Sequence, residues 1–279
     1  MDWWLWPIAL FVITFAMGIV AVLAGVGGGV LFVPVMAAFF PFHLDFVRAA
    51  GLLLALTTAL SAAPALLRSG LASLRLAVPL TLLTSVTSIA GALLGLALPS
   101  AALEPALGIA ILAIALLMWR SRGYEDPQVS RPDRLAAALG MHGLYYDPAL
   151  KREVAWKAHR TPTGIAAFAG IGVIAGMFGL GAGWANVPAL NLLMGVPLKL
   201  AVGTSGFIII GGATSAAWVY LQRGAVLPML VVPSIVGAIL GAKLGVRLLR
   251  TAKPKLIRQV VLILLVLAGA RSLLKAFGV

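Results

Sequence analysis

Cysteine is absent from this 279-residue chain, so disulfides, thiolate catalysis and iron–sulfur ligation are excluded. Charge is scarce as well: 10% of residues are Asp, Glu, Lys or Arg, against about 25% in an ordinary soluble domain. The shortage is sharpest for acids. All eight are Asp2, Asp45, Glu104, Glu125, Asp126, Asp133, Asp147 and Glu153. None is expected to lie within a membrane span, and none follows Glu153. Proton pumps and cation carriers keep Asp or Glu within the membrane as relay groups or ligands. A cation substrate is therefore disfavoured, and a carboxylate relay has no member. The histidines, His43, His142 and His159, sit in loops without ligand spacing, so no metal and no cofactor is expected. With no acid–base pair in the apolar blocks, an enzyme is the least favoured class.

What is abundant is apolar sequence. Hydrophobic residues make up 62% of the chain, and the mean hydropathy is +1.07. Apolar runs recur at about 4–24, 30–41, 48–67, 75–98 and 102–119, then at about 163–178, 184–194, 201–221, 225–249 and 256–277. Most are long enough to cross a hydrocarbon core about 30 Å thick. The N-terminal Met1-Asp2-Trp3-Trp4-Leu5-Trp6-Pro7 has no basic n-region, so the first block reads as a retained segment with interfacial tryptophans. The net charge of +13 comes mostly from Lys and Arg flanking the blocks. That is the pattern of membrane topology, not of nucleic-acid binding.

Two stretches are near copies, 154 residues apart. Gly25-Val26-Gly27-Gly28-Gly29-Val30 runs on to Val33-Pro34, and Gly179-Leu180-Gly181-Ala182-Gly183-Trp184 runs on to Val187-Pro188. Pro79 and Pro233, Ser61 and Ser215, and Gly70 and Gly224 share the same offset. Five blocks followed by five blocks describe a duplicated unit. Each glycine knot interrupts an apolar run, and a backbone broken within lipid must be buried in protein or line a cavity. A matching pair of interrupted segments points to a transporter's substrate site. Neither knot has the strand and spacing of a dinucleotide fingerprint.

Charge then sets orientation. Residues 120–160 hold eight basic side chains, Arg120, Arg122, Arg131, Arg134, Lys151, Arg152, Lys157 and Arg160, and form the one long polar stretch. It is expected in the cytoplasm, which places the loop with Glu104 outside. The cluster Arg247, Arg250, Lys253, Lys255 and Arg258 also falls inside if 163–194 passes as two segments. The blocks 30–41 and 184–194 would make only about 16–18 Å of helix, too short to cross. Each is expected to pair with the segment before it as a re-entrant hairpin or broken span, its glycine turn near mid-membrane. The fold expected is an all-α integral membrane protein of two inverted repeats, about five segments each. That gives 8 full spans, or 10 with the short re-entrant segments. Residues 1–120 form the first repeat, 121–161 the cytoplasmic loop and 162–279 the second repeat. Within the loop, 134–141 fits a short amphipathic helix, with Tyr145, Tyr146 and Trp156 on the membrane face.

The chemistry left open is that of an anion. Helices starting near Val30 and Trp184 would point their N-termini at the cavity, and such termini offer free N–H donors and partial positive charge. Glycines let successive N–H groups converge. The cradle would comprise Gly25, Gly27, Gly28, Gly29 and Val30 with Gly179, Gly181, Ala182, Gly183 and Trp184. Side-chain donors would come from the sparse polar residues of the blocks. These are Thr57, Thr58, Ser61, Asn186, Asn191, Thr204, Ser205, Thr214 and Ser215, led by Asn186 and Thr204. The competing role of such hydroxyls is a bond to the preceding helical turn. Gly91/Gly95 and Gly237/Gly241/Gly245, spaced by four, read as packing contacts.

In this context the knots resemble those of the TauE/SafE family of sulfite exporters and sulfonate permeases, also called the toluene-sulfonate uptake permease family. The second stretch, Gly179 to Gly183 with Val187-Pro188, Asn191, Gly195-Val-Pro197, Lys199 and Thr204-Ser205, carries the more specific motif. The loop from His142 through Tyr145-Tyr146-Asp147 to Arg152-Glu153 and Ala158-His159-Arg160 is similar to the central loop of one branch. The second knot departs from the pattern at Ala182, where the motif has glycine. The resemblance implies transport of sulfur oxyanions or organosulfonates across a bacterial inner membrane. A secondary carrier or facilitator working by alternating access leads. An anion channel and a non-transporting assembly factor or sensor stay as alternatives. The expected partners are a small anionic substrate and the lipid bilayer, with no nucleic acid. Oligomeric state, a homo-oligomer included, is left open.

Overall fold

The computed structural model describes residues 5–24, 27–68, 70–120, 129, 131–147, 152–248 and 254–276. The helices are α1 (Leu5–Ala24), α2 (Gly29–Phe39), α3 (Leu44–Arg68), α4 (Leu74–Ala97), α5 (Ser100–Arg120), α6 (Arg134–Ala138), α7 (Thr161–Phe178), α8 (Gly183–Pro188), α9 (Leu198–Gln222), α10 (Pro228–Leu248) and α11 (Pro254–Ala276). A π-type stretch, Ala189–Leu193, continues α8. Among the described residues six helices are long and apolar enough to cross a membrane: α3, α4, α5, α7, α9 and α10. Their apolar surface points outward. On α4, Val78, Leu82, Val86 and Leu93 are exposed, while Thr84, Ser88, Gly91 and Gly95 are buried. Small residues inside and large apolar ones outside suit a lipid solvent, where close backbone approach supplies the packing.

Two boundaries differ from the sequence expectation, and both matter. Helix α3 starts at Leu44, so Asp45 lies in its first turn and within the candidate span Leu44–Pro64. Glu104 lies in the second turn of α5, not in a loop, because that helix begins directly after Pro99, whose carbonyl accepts from the Ala102 and Leu103 amides. The expectation that all acids fall outside the spans is corrected for both residues. A charged side chain reads as a boundary in hydropathy, yet a carboxylate near a helix N-terminus is favoured by the helix dipole.

Glycines set how the helices pack. Gly237, Gly241 and Gly245 of α10 lie against Phe11, Phe15 and Ile19 of α1, so the two helices run parallel. Gly91 and Gly95 of α4 lie against Val173 and Met177 of α7, again in parallel. A Cβ on Gly95 would sit 2.7 Å from the Met177 carbonyl oxygen, and one on Gly18 would sit 2.6 Å from that of Ala238. Helix α4 also runs parallel to α9, with Thr81 beside Gly211 and the Ser88 hydroxyl donating to the Gly212 carbonyl at 2.8 Å. Arg48, at the start of α3, bonds to Met177 at the end of α7, and Trp6, at the start of α1, meets Phe42 just before α3, so α1 begins where α7 ends and the two run in opposite directions. Helices α5 and α11 pack antiparallel, Gly108 on Leu273 and Gly269 on Leu112.

Between α5 and α7 in sequence lies a small folded segment. The antiparallel strands β1 (His142–Asp147) and β2 (Arg152–Lys157) pair His142 with Lys157 and Asp147 with Arg152. This hairpin was not anticipated; α6 falls within the expected short helix. Tyr145 and Trp156 are buried, and the Tyr146 side chain lies outside the described set. Asp133 ties the segment to the helices, accepting from Ala136 N–H at α6 and Thr161 N–H at α7, both at 2.6 Å. Burial opposes its charge, but these amide donors win and hold the carboxyl below its ordinary range.

A Gly241→Val variant should therefore force α1 and α10 apart, costing about 1–3 kcal/mol and lowering the melting temperature in detergent. Gly170 has open space around it, so Gly170→Ala should leave that temperature unchanged or slightly raised. Equal melting temperatures for the two variants would contradict the packing described.

Candidate functional site

Both short helices return the chain to the end from which it came. Trp6, at the start of α1, meets the rings of Phe40 and Phe42, just after α2, at centroid distances of 6.1 and 5.9 Å. Just before α7, the His159 amide donates to the Met194 carbonyl at 3.0 Å, and its Nδ1 is 3.1 Å from the same oxygen. The α1–α2 and α7–α8 segments are thus hairpins, and the glycine knots are their turns. Gly27, Gly179 and Gly181 have φ of +77°, +71° and +67°, the left-handed region open to glycine.

The turns lie deep. The Gly28 amide donates to Thr58 Oγ1 at 3.1 Å, near the middle of α3. A Cβ on Gly27 would lie 3.7 Å from Ile209 Cδ1, near the middle of α9, and one on Gly181 would lie 2.8 Å from the Ala55 Cβ. The turns also touch each other: the Leu180 carbonyl oxygen is 3.0 Å from where a Gly29 Cβ would stand. Gly28, Gly29, Val30, Gly181, Ala182 and Gly183 are all buried, Val30 completely. Gly25 lies outside the described residues.

The candidate side chains separate into two groups. Thr57 Oγ1 donates to the Leu53 carbonyl and Ser61 Oγ to the Thr57 carbonyl, each at 2.8 Å, the ordinary bond to the preceding turn. Thr204 Oγ1 is buried and accepts from the Ser73 amide at 3.1 Å, joining α9 to the start of α4. These three groups are occupied within the protein. By contrast, Trp184 Nε1, both amide atoms of Asn186 and Ser205 Oγ are buried and make no hydrogen bond in the protein. Leaving such a group unpaired costs about 1–3 kcal/mol. All four atoms belong to the second hairpin and α9. Their counterparts at the repeat offset are Val30, Phe32 and Gly51, which carry no polar side chain. Because α8 has six residues and contains Pro188, polar capacity in this half resides more in side chains than in helix dipole.

Arg48 is the residue sequence reading missed. Among the described residues it is the only charged side chain that is buried, with 1% exposure. Its Nη1 donates to the Gly95 and Met177 carbonyls, both at 3.0 Å, and its Nη2 pairs with Asp45. The guanidinium lies 5.6 Å from the centroid of the Tyr220 ring. Tyr220 in turn donates to the Gly176 and Met177 carbonyls at 3.1 and 3.2 Å. Arg48 and Tyr220 thereby occupy helix C-terminal carbonyls of α4 and α7 that would otherwise lack donors. The available signal was the i, i+3 spacing of Asp45 and Arg48 at the edge of an apolar block.

Compared with known proteins, the chain matches over residues 10–272 the family described as Sulfite exporter TauE/SafE. It is 33% identical over 114 residues to a Bacillus subtilis (strain 168) protein named Probable membrane transporter protein YunE. That stretch covers 41% of this chain and 42% of the relative, so the chain spans well under two thirds of the relative it matches. No solved structure matches it.

The hydrogen-bond pattern distinguishes two neighbouring threonines. Thr58→Val removes the acceptor for the buried Gly28 amide and should cost about 1–3 kcal/mol, seen as a lower melting temperature in detergent. Thr57→Val removes only a bond within its own helix and should cost far less. A larger loss at Thr57 than at Thr58 would contradict the placement of the first turn.

Proposed function

The chain belongs to the TauE/SafE family of sulfite exporters, and from that membership we propose that it is a secondary carrier or facilitator for a small sulfur-containing oxyanion, sulfite or an organosulfonate. The observation that carries the reading is the meeting of two glycine turns, together with the buried, unpaired Trp184 and Asn186 of the second hairpin and Ser205 of α9. The indole N–H only donates, and the amide and hydroxyl can donate as well. Sulfur–oxygen groups would supply the acceptors. A cation would find one carbonyl oxygen and one hydroxyl among those four atoms, and no carboxylate, which disfavours it.

The transport mode we infer is alternating access of two inverted halves, residues 1–120 and 162–279. Supporting it are the opposed directions of α1 and α7, the exchange of partners between halves (α1 with α10, α4 with α7), and the paired hairpins. Each hairpin would close the pathway from its own face, and rocking one half against the other would open one face at a time. The segment 121–161 is assigned to the cytoplasm by its basic residues, which puts the Asp45 end of α3 outside. The membrane proposed is a bacterial inner membrane. In this scheme the scaffold is shared by both halves, while specificity rests on the second.

The test is thermal stability of the purified protein against sulfite, thiosulfate, taurine, sulfoacetate, sulfate and bicarbonate. A ligand held only by the folded form at 100 times its Kd adds about 2.7 kcal/mol. One sulfur anion should raise the melting temperature with concentration, and Asn186→Ala or Gly181→Val should abolish the shift. Gly27→Val and Gly181→Val should also abolish flux in reconstituted vesicles, with a lower melting temperature because valine is strained at φ of +77° and +67°. No shift with any anion, or unchanged flux in both glycine variants, contradicts the proposal.

A further inference from the structure

We propose that Arg48 is an oxyanion-docking residue at the Asp45 end of the pathway, and that Asp45 is a resident carboxylate which the travelling anion displaces. The idea rests on the carrier reading above and extends it to a second site. A guanidinium buried in an apolar slab is expensive, and an intramembrane charge marks an ion path more often than a passive contact. If Arg48 served only to fasten helices, its donors would all be occupied. Instead, Nε is buried and makes no hydrogen bond, although the Gly95 and Met177 carbonyls and Asp45 engage Nη1 and Nη2. The edge that presents Nε with Nη2 is the fork that matches two oxygens of one oxyanion. Asp45 already places a carboxylate at Nη2, so the site accepts this chemistry.

Asp45 is also placed to leave. Its side chain is 30% exposed, where Arg48 is 1% exposed, and its other oxygen lies 3.5 Å from Nδ1 of His43, which is 57% exposed. The carboxylate therefore straddles a buried cation and a solvent-facing imidazole. Its departure would leave Arg48 uncompensated until another anion arrived. The position relative to the deep site is equally direct. Gly179, which opens the second turn, has no Cβ and packs on the backbone of Arg48. Five residues later comes Trp184 and seven later Asn186. An anion docked at Arg48 would stand beside the turn leading to the unpaired donors.

The experiment titrates sulfite and sulfoacetate, separately, into the full-length protein in detergent, following melting temperature and heat of binding. Asp45→Asn keeps the size and removes the competing charge, so it should tighten binding by about tenfold, equivalent to about 1.4 kcal/mol. Arg48→Lys keeps the charge and loses the fork, so it should weaken binding by at least about tenfold. A purely structural role predicts a lower melting temperature for Asp45→Asn with an unchanged dissociation constant, and that result overturns the proposal. Should Arg48→Lys fail to fold, Asp45→Asn decides alone. If the unaltered protein binds neither anion, the carrier reading falls for these two solutes and this inference with it. If the unaltered protein binds and Asp45→Asn binds no tighter, only this inference falls.

Discussion

A chain that turns inside an apolar slab has to satisfy its backbone without water, and this constraint organises the molecule. The two hairpins meet it by leaning on each other and on the helices around them. The first turn gives its Gly28 amide to Thr58, and the second lays the Leu180 carbonyl against Gly29. Helix α3 flanks both turns, which is why its middle holds small or polar residues such as Ala55 and Thr58, and α9 meets the first turn at Ile209. The long parallel contacts of α1 with α10 and α4 with α7 then bind one half to the other through glycines. Substituting a side chain at those glycines would disturb the frame that brings the turns together.

The two halves share a frame but not a chemistry. Trp184, Asn186 and Ser205 face counterparts in Val30, Phe32 and Gly51 at the repeat offset. The Arg48–Asp45 pair corresponds to Val202 and Lys199 in the second half. One half therefore supplies unpaired donors at depth, and the other supplies a buried cation near one end. In the carrier proposed above, such division suits a polar solute met first at an end and then at the centre.

Much of this was legible in the sequence because lipid imposes strong rules on composition. Apolar blocks gave the helices to within a few residues, and the matched knots pointed to the two deep turns. The spacing of Gly237, Gly241 and Gly245 identified a packing face that α1 fills. What stayed hidden depended on tertiary partners. Arg48 and Asp45 lie at a block edge, where a charge ordinarily marks the membrane surface, and the burial of Arg48 against α4, α7 and α9 changes the meaning of the pair. Thr204 looked like a free donor, but its oxygen is taken by Ser73 from the turn before α4. The β1–β2 hairpin lay in a stretch whose basic residues spoke for topology rather than for strands.

The central claim is that the hairpins enter from opposite faces of the membrane. Because the chain has no cysteine, single thiols can report on this without background. His43→Cys follows the first hairpin and Lys199→Cys follows the second, and both positions are exposed. Labelling with a membrane-impermeant maleimide in intact cells and in inverted vesicles is the direct measurement. The account predicts that position 43 reacts only from outside and position 199 only from inside. Reaction of both from the same side would contradict it.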